Sequence, residues 1–205
     1  MVLFEILQTL KPYQEAKRIG IYLSMPSGEI STDAIVRHAL AQGKQVFVPY
    51  LHKAQDALPG FPRSVMDMLE LHSLSDYNSL KRDSWGIPTI DPATVGGRGR
   101  ILTAGGPALD LILMPGVAFG LDPKSSLIRR LGHGKGFYDY FLHRYRERLD
   151  THVEKPSHSS PGTNVLLYGL ALEEQIVQSE IPTGEHDSLL HGLLVGDGRI
   201  IPIDQ

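Results

Sequence analysis

Three glycines alternate with side chains in Leu131-Gly132-His133-Gly134-Lys135-Gly136-Phe137-Tyr138-Asp139, just before a strongly helical stretch. Glycine lets the backbone approach a ligand closely and adopt positive φ. N–H groups at a helix start attract anions, and Lys135 adds a point charge suited to phosphate. Asp139, in the first helical turn, is placed to hold Mg²⁺ beside such phosphates. Neither common phosphate pattern fits: Walker A needs Ser or Thr after Gly-Lys, where Gly136 stands, and the dinucleotide fingerprint spaces its glycines differently. Two readings remain, a phosphate cradle of another kind or a flexible loop ahead of an acidic helical turn.

Other candidates surround this one. Glu29, after a strand and a turn, is suited either to a polar substrate or to solvent. Trp85, the single tryptophan, lies in Ser84-Trp85-Gly86-Ile87-Pro88 and reads as core packing or as a ligand platform. His186-Asp187 with His191 lacks the His-Glu-x-x-His spacing of a zinc site. No Gly-x-Ser-x-Gly nucleophile elbow is present. Arg144, Arg146 and Arg148 are expected on the solvent face of the long helix.

The elements that must position these residues follow from periodicity. Phe4, Leu7 and Leu10 suit a short amphipathic helix over residues 4–16, with Pro12 disturbing its second half. Residues 18–25 alternate as a strand, and Pro26-Ser27-Gly28 turns the chain. Ser31, Thr32 and Asp33 are able to cap a helix that buries Ile35, Val36, Ala39 and Leu40 and stops at Gly43. Residues 46–51 form a second strand, completing a βαβ unit. Residues 66–71 read as a strand and 91–107 as a loop. Residues 110–116 are a buried strand ending in a turn. Residues 134–149 are a helix, 152–164 a mobile polar insertion, and 165–171 and 193–195 late strands. The sum is one α/β domain around a mostly parallel sheet, with ligands expected beyond the carboxyl ends of its strands. Two segments lie there: Ser24–Glu29, and Met114–Phe119 with the loop that follows.

Composition narrows the function classes. The 205 residues carry 20 Lys+Arg against 23 Asp+Glu, hence 20 − 23 = −3, and hydrophobic residues make up 41%. These are globular values, without an electrostatic case for nucleic acid or an anionic membrane. There is no cysteine, which removes disulfide scaffolds, cysteine nucleophiles, thiolate zinc sites and iron–sulfur clusters. No apolar run is long enough to span a bilayer, and the first residues lack a signal-peptide pattern. A cytoplasmic protein is expected.

At Leu131–Asp139 the sequence resembles the 5-formyltetrahydrofolate cyclo-ligase (methenyltetrahydrofolate synthetase) family, whose hallmark is a strand ending Met-Pro-Gly followed by Leu-Gly-Arg-Gly-Lys-Gly-Tyr-Tyr-Asp. Here these stand as Met114-Pro115-Gly116 and Leu131–Asp139. The resemblance extends in order through Ile21–Met25 with Glu29–Thr32, Ser84–Pro88, Ala171-Leu172-Glu173-Glu174-Gln175, and Pro182 with His186-Asp187. It implies a three-layer α/β domain similar to the sugar-phosphate isomerase and CoA-transferase class. It also implies an ATP- and Mg²⁺-dependent ring closure of a small-molecule substrate, 5-formyltetrahydrofolate, by a monomer. The formyl oxygen attacks the γ-phosphorus of ATP, and the neighbouring ring nitrogen then attacks the phosphorylated formyl carbon. Phosphate leaves, giving 5,10-methenyltetrahydrofolate and ADP. The task is positioning and charge neutralisation.

Carried over by position, Arg130, Leu131, Gly132, His133, Gly134, Lys135, Gly136, Phe137 and Tyr138 would cradle ATP, with Lys135 and His133 acting on its phosphates. Asp139 and Asp187 would hold Mg²⁺. Leu23, Met25 and Glu29 would contact the folate, with Trp85 and Phe119 as further pocket residues. The chain departs from the family at His133, which replaces an Arg, and at His191, which replaces a second Asp. The family's N-terminal helix of basic residues would lie ahead of Met1, so the expectation is a single domain over 1–205 without that arm, with mitochondrial targeting possible on a longer N-terminus. Two other readings are a folate- or nucleotide-binding protein that lost catalysis with the arm, and a sugar-phosphate isomerase that needs no ATP.

Overall fold

The structure is a computed structural model in which residues 2–53, 64–152, 165–184 and 187–201 are described. His186 and residues 153–164 of the expected insertion lie outside them. Two short helices, α1 (Val2–Thr9) and α2 (Lys11–Glu15), replace the single expected one. Pro12 is the reason: it sits in the first turn of α2, where its missing N–H breaks nothing. The Lys44 ammonium then donates to the carbonyls of Tyr13, Gln14 and Ala16 at the end of α2.

Strand β1 (Arg18–Ile21), helix α3 (Asp33–Ala41) and strand β2 (Gln45–Lys53) form the expected βαβ unit, with β1 and β2 parallel. Strand β3 (Ser64–Leu71) pairs antiparallel with β2. Helix α4 (Leu74–Ser79), capped by the Ser73 hydroxyl, leads to a small hairpin of β4 (Lys81–Arg82) and β5 (Pro88–Thr89). The stretch expected as a loop contains a 3₁₀ helix, Pro92–Gly97, opened by the Asp91 side chain. Strand β6 (Leu111–Met114) follows. The next segment was expected as a loop and is instead an antiparallel hairpin, β7 (Ala118–Leu121) with β8 (Ile128–Leu131). Helix α5 (Phe137–His152), β9 (Leu166–Ala171), β10 (Gly192–Val195) and β11 (Ile200–Ile201) complete the described chain.

The main sheet has seven strands in the order β11-β10-β9-β6-β1-β2-β3. Only its two edge pairings, β2 with β3 and β10 with β11, are antiparallel. Alternate residues of each strand enter two different cores, as a pleated sheet requires. Ile19, Ile21, Val46, Val48, Leu111 and Leu113 pack with α1, α3 and α4 on one face. Phe47, Met68, Ile112, Met114, Leu167 and Leu193 pack with Phe141, Leu142 and Tyr145 of α5 on the other. Helices on both faces make this a three-layer α/β fold, the setting in which a parallel sheet is buried. From β1 the chain winds to β2 on one side, while β6, β9 and β10 lie in succession on the other. The strand order therefore reverses between β1 and β6, and a crevice between their carboxyl ends is where such sheets take ligands.

Arg148 does not simply face solvent. Its guanidinium donates to the carbonyls of Gly106 and Pro107 and lies 5.2 Å above the Tyr145 ring, pinning the loop before β6. Among the described residues no helix is long and apolar enough to cross a membrane.

Candidate active site

The chain leaves β1 into Tyr22–Ile30. A lattice of hydrogen bonds fixes this loop: Tyr22 Oη donates to Ile30 O (2.7 Å), and Thr32 Oγ1 donates to Tyr22 O (2.7 Å). Thr32 Oγ1 also accepts from Ser24 N, and Ser24 Oγ accepts from Thr32 N. The Thr32 hydroxyl therefore does not cap α3 as its position suggests; the loop takes it. Leu23 is buried in the core, and Met25 is partly exposed. The Met25 N–H donates to Glu29 Oε1 at 2.6 Å, turning the carboxylate inward. Burial pushes the Glu29 carboxyl above its ordinary value, opposed by the Met25 N–H and by the charge of His133. A cavity of about 170 Å³ opens here between Met25, Pro26, Glu29, Asp33, Tyr77 and Arg82.

Strand β6 leads through Met114-Pro115-Gly116 into the β7–β8 hairpin, whose base is closed by Val117 N to Leu131 O (2.7 Å). Glycine is required at 116, because a Cβ there would lie 2.5 Å from Phe119 Cζ. Phe119 is wholly buried under Gly116 and Gly169, so it supports the turn from beneath and does not line the pocket as its position suggested.

Beyond β8, Gly134 and Gly136 take φ of +75° and +62°, backbone that other residues rarely adopt. His133, just before Gly134, and Lys135, between the two glycines, are exposed. Arg130 behaves differently from the open cation its place in the motif suggests. Its side chain is 6% exposed, and it donates to Asp139 Oδ2 at 2.8 Å while lying 5.5 Å above the Tyr138 ring. Asp139 Oδ1 accepts from Ser188 N (3.1 Å), so both carboxylate oxygens are engaged. Arg130 Nε, Tyr138 Oη and Ser188 Oγ are buried here without hydrogen-bond partners.

Asp187 stands next to the Ser188 amide on Asp139, so the structure brings the two expected metal ligands into neighbouring segments. Its carboxylate accepts from Gly184 N at 2.8 Å. Among the described residues no three His, Asp or Glu side chains gather as a metal site. His191 Nδ1 accepts from Leu167 N (3.0 Å), which orients the ring, and burial pushes its pKa down.

The loop after β1 and the glycine loop lie close enough for their charges to interact. Glu29 feels the charge of His133, and the Tyr138 phenol feels both Glu29 and Arg130, while burial pushes it far up. Trp85 is 73% exposed rather than core, on a turn whose Gly86 lies against Pro26. Sequence reasoning missed the β7–β8 hairpin and the tying roles of Tyr22 and Gln175. No local pattern marks any of the three.

A half-buried carboxylate after β1 and a glycine loop with positive φ at Gly134 and Gly136 after β8, on a three-layer parallel sheet with a switch point, are the arrangement of an α/β enzyme with its site at the carboxyl ends of the strands. The model of the 5-formyltetrahydrofolate cyclo-ligase family matches residues 2–196. The chain belongs to that family. It is 35% identical to the 5-formyltetrahydrofolate cyclo-ligase of Mus musculus, over 90% of this chain and 76% of that protein. It is 30% identical to that of Haemophilus influenzae, over 89% and 78%. The NMR structure of the 5,10-methenyltetrahydrofolate synthetase of Aquifex aeolicus superposes with a TM-score of 0.58 at 20% identity, covering 99% of this chain and 81% of that one.

Proposed function

We propose that the protein converts 5-formyltetrahydrofolate to 5,10-methenyltetrahydrofolate with ATP and Mg²⁺, releasing ADP and phosphate through a phosphorylated formyl intermediate. The observation that carries this reading is the Gln175 amide, whose nitrogen donates to Gly116 O (2.8 Å) and reaches Gly28 O (3.4 Å), setting the Glu29 loop beside the turn that leads to the glycine loop. The residues present fit a nucleotide phosphate and its metal. Arg130 Nε and Ser188 Oγ are buried donors without acceptors beside Asp139, and His133 and Lys135 are exposed on a backbone with positive φ at Gly134 and Gly136. Two carboxylates, Asp139 and Asp187, suffice for Mg²⁺ when phosphate oxygens complete its shell.

ATP with Mg²⁺ would supply the phosphoryl group that turns the formyl oxygen into a leaving group. The chain's own residues position and neutralise. Glu29 accepts the N–H donors of the pterin, while Met25 walls it, Leu23 anchors the same loop in the core, and exposed Trp85 offers a stacking face. Lys135, His133, Arg130 and the amides of Gly132–Gly136 hold phosphate, with Leu131, Phe137 and Tyr138 shaping the same loop. The protein acts as a monomer in the cytoplasm on this reading.

Absorbance of methenyltetrahydrofolate formed from 5-formyltetrahydrofolate and Mg²⁺, with and without ATP, tests it. ATP-dependent product is expected. Folate binding by calorimetry without product would make the protein a binder that lacks catalysis. Folded protein with neither product nor binding would overturn the assignment.

A further inference from the structure

Gln175 lies in the single 3₁₀ turn Glu173–Gln175 that follows β9, and its side chain is buried. Its amide oxygen accepts from Leu172 N at 2.8 Å, which fixes the way the amide faces. Its amide nitrogen then donates to Gly116 O (2.8 Å) and reaches Gly28 O (3.4 Å). Gly28 precedes Glu29 and has a φ of +87°. Gly116 opens the hairpin that carries the glycine loop. The chain after Gln175 continues into that hairpin's support, with Val177 N donating to Phe119 O at 2.9 Å.

We infer that Gln175 is a positioning residue for the ring-closing reaction, holding the Glu29 loop in register with the Met-Pro-Gly turn and so with the glycine loop. The inference rests on the function proposed above. The chemistry selects a primary amide. Two backbone carbonyls must be met by one group with two N–H donors, while a backbone N–H must be met by its acceptor. A carboxylate of the same shape would set oxygen against two carbonyl oxygens. A thioether of similar length would leave both carbonyls unmet. Neither change touches substrate, so the defect appears as loops out of register, on the folate side first, because the Glu29 loop is anchored to the hairpin base here while the glycine loop has its own attachment through β8 and α5.

Gln175→Glu and Gln175→Met test this by hydrogen exchange on the unliganded full chain and by calorimetry with 5-formyltetrahydrofolate and, separately, with Mg-ATP. Amide exchange is expected to rise in the segments around residues 28–30 and 116–118. The folate Kd should rise roughly tenfold, the effect of one to two lost hydrogen bonds, with the Mg-ATP Kd within about twofold of wild type on the same scale. Wild-type exchange in both variants at both segments would overturn the inference, whatever the activity. So would equal losses in folate and ATP binding with a lowered melting temperature, the pattern of a merely structural residue. So would raised exchange with unchanged folate affinity. A wild-type protein that binds no folate would sink the functional reading instead, and the exchange result would still decide whether Gln175 registers the two loops.

Discussion

Glu29→Gln isolates the charge of the carboxylate at almost constant shape. In the structure one oxygen is committed to the Met25 N–H at 2.6 Å, and burial raises the group's pKa above its ordinary value of 4.5. A glutamine can keep that bond through its amide oxygen, but its NH₂ then faces the pterin, donor against donor. The loss is one charge-assisted interaction, about 1.5–3 kcal/mol, or roughly a 10- to 150-fold rise in folate Kd. Stability moves the other way. The native state holds the Glu29 proton more tightly than the unfolded chain does. The stabilisation from the protonated form is therefore complete below the unfolded value and lost as pH rises through the higher folded value. At neutral pH the charged side chain costs stability, and the variant should melt no lower than wild type. Calorimetric titration with 5-formyltetrahydrofolate at a series of pH values from neutral downward reads the affinity, and thermal melts of both proteins read the stability. Wild-type affinity should weaken as pH falls toward the folded pKa of Glu29, and the variant should be weak and flat. Unchanged affinity in the variant would refute the assignment of Glu29 as the pterin acceptor.

Three further outcomes are expected. Gly116→Ala places a Cβ 2.5 Å from the buried Phe119 ring, an overpacking of about 1–3 kcal/mol, read in differential scanning calorimetry as a melting temperature lower by roughly 2–12 °C. His133→Arg should lower the ATP Michaelis constant, because a guanidinium can grip phosphate oxygens bidentately where an imidazole cannot; an unchanged Michaelis constant would dismiss His133 as a phosphate contact. Hydrogen bonds from Arg98 hold Asp76 below its ordinary carboxylate value. Its contribution is therefore present above that value and lost as pH falls through the folded one, so Arg98→Gln should give a shallower acid limb in urea melts below about pH 4.

The regular frame was legible because its signals are local. Ile19, Ile21 and Leu23 alternate, Asp33–Ala41 has a helical stripe, and Leu111–Met114 is continuously apolar, as a strand buried on both faces must be. The β7–β8 hairpin was not legible, because Gly-Val-Ala-Phe-Gly-Leu carries two glycines that read as loop. Those glycines answer tertiary demands, the Phe119 ring at 116 and the Val177 carbonyl at 120. The candidate site divides along the same line. Glycine spacing marked the loop, but the pairing of Arg130 with Asp139 needs β8 and the first turn of α5 side by side, and no spacing rule records that. Trp85 and Phe119 exchanged expected places for the same reason: one aromatic crowns a hairpin turn, and the other fills the space that Gly116 and Gly169 leave open.

The Arg130–Asp139 pair also shapes how the site meets its ligands. A guanidinium 6% exposed and a carboxylate 18% exposed neutralise each other across 2.8 Å, and a charge so placed is costly to leave without a partner. A triphosphate that draws on Arg130 removes the partner of Asp139, and a divalent cation that draws on Asp139 removes the partner of Arg130. Either ligand alone breaks the pair and strands one charge; both together replace it with two new neutral sets. Binding of nucleotide and metal should therefore be mutually dependent, with each strengthening the other by the same factor. Mn²⁺ binding followed by electron paramagnetic resonance, with and without ATP, measures that factor after correction for Mn²⁺ held by free ATP. Arg130→Met should strengthen Mn²⁺ binding to the ATP-free protein and shrink the dependence. Equal Mn²⁺ affinity in the ATP-free wild type and variant would show that the pair does not guard the carboxylate.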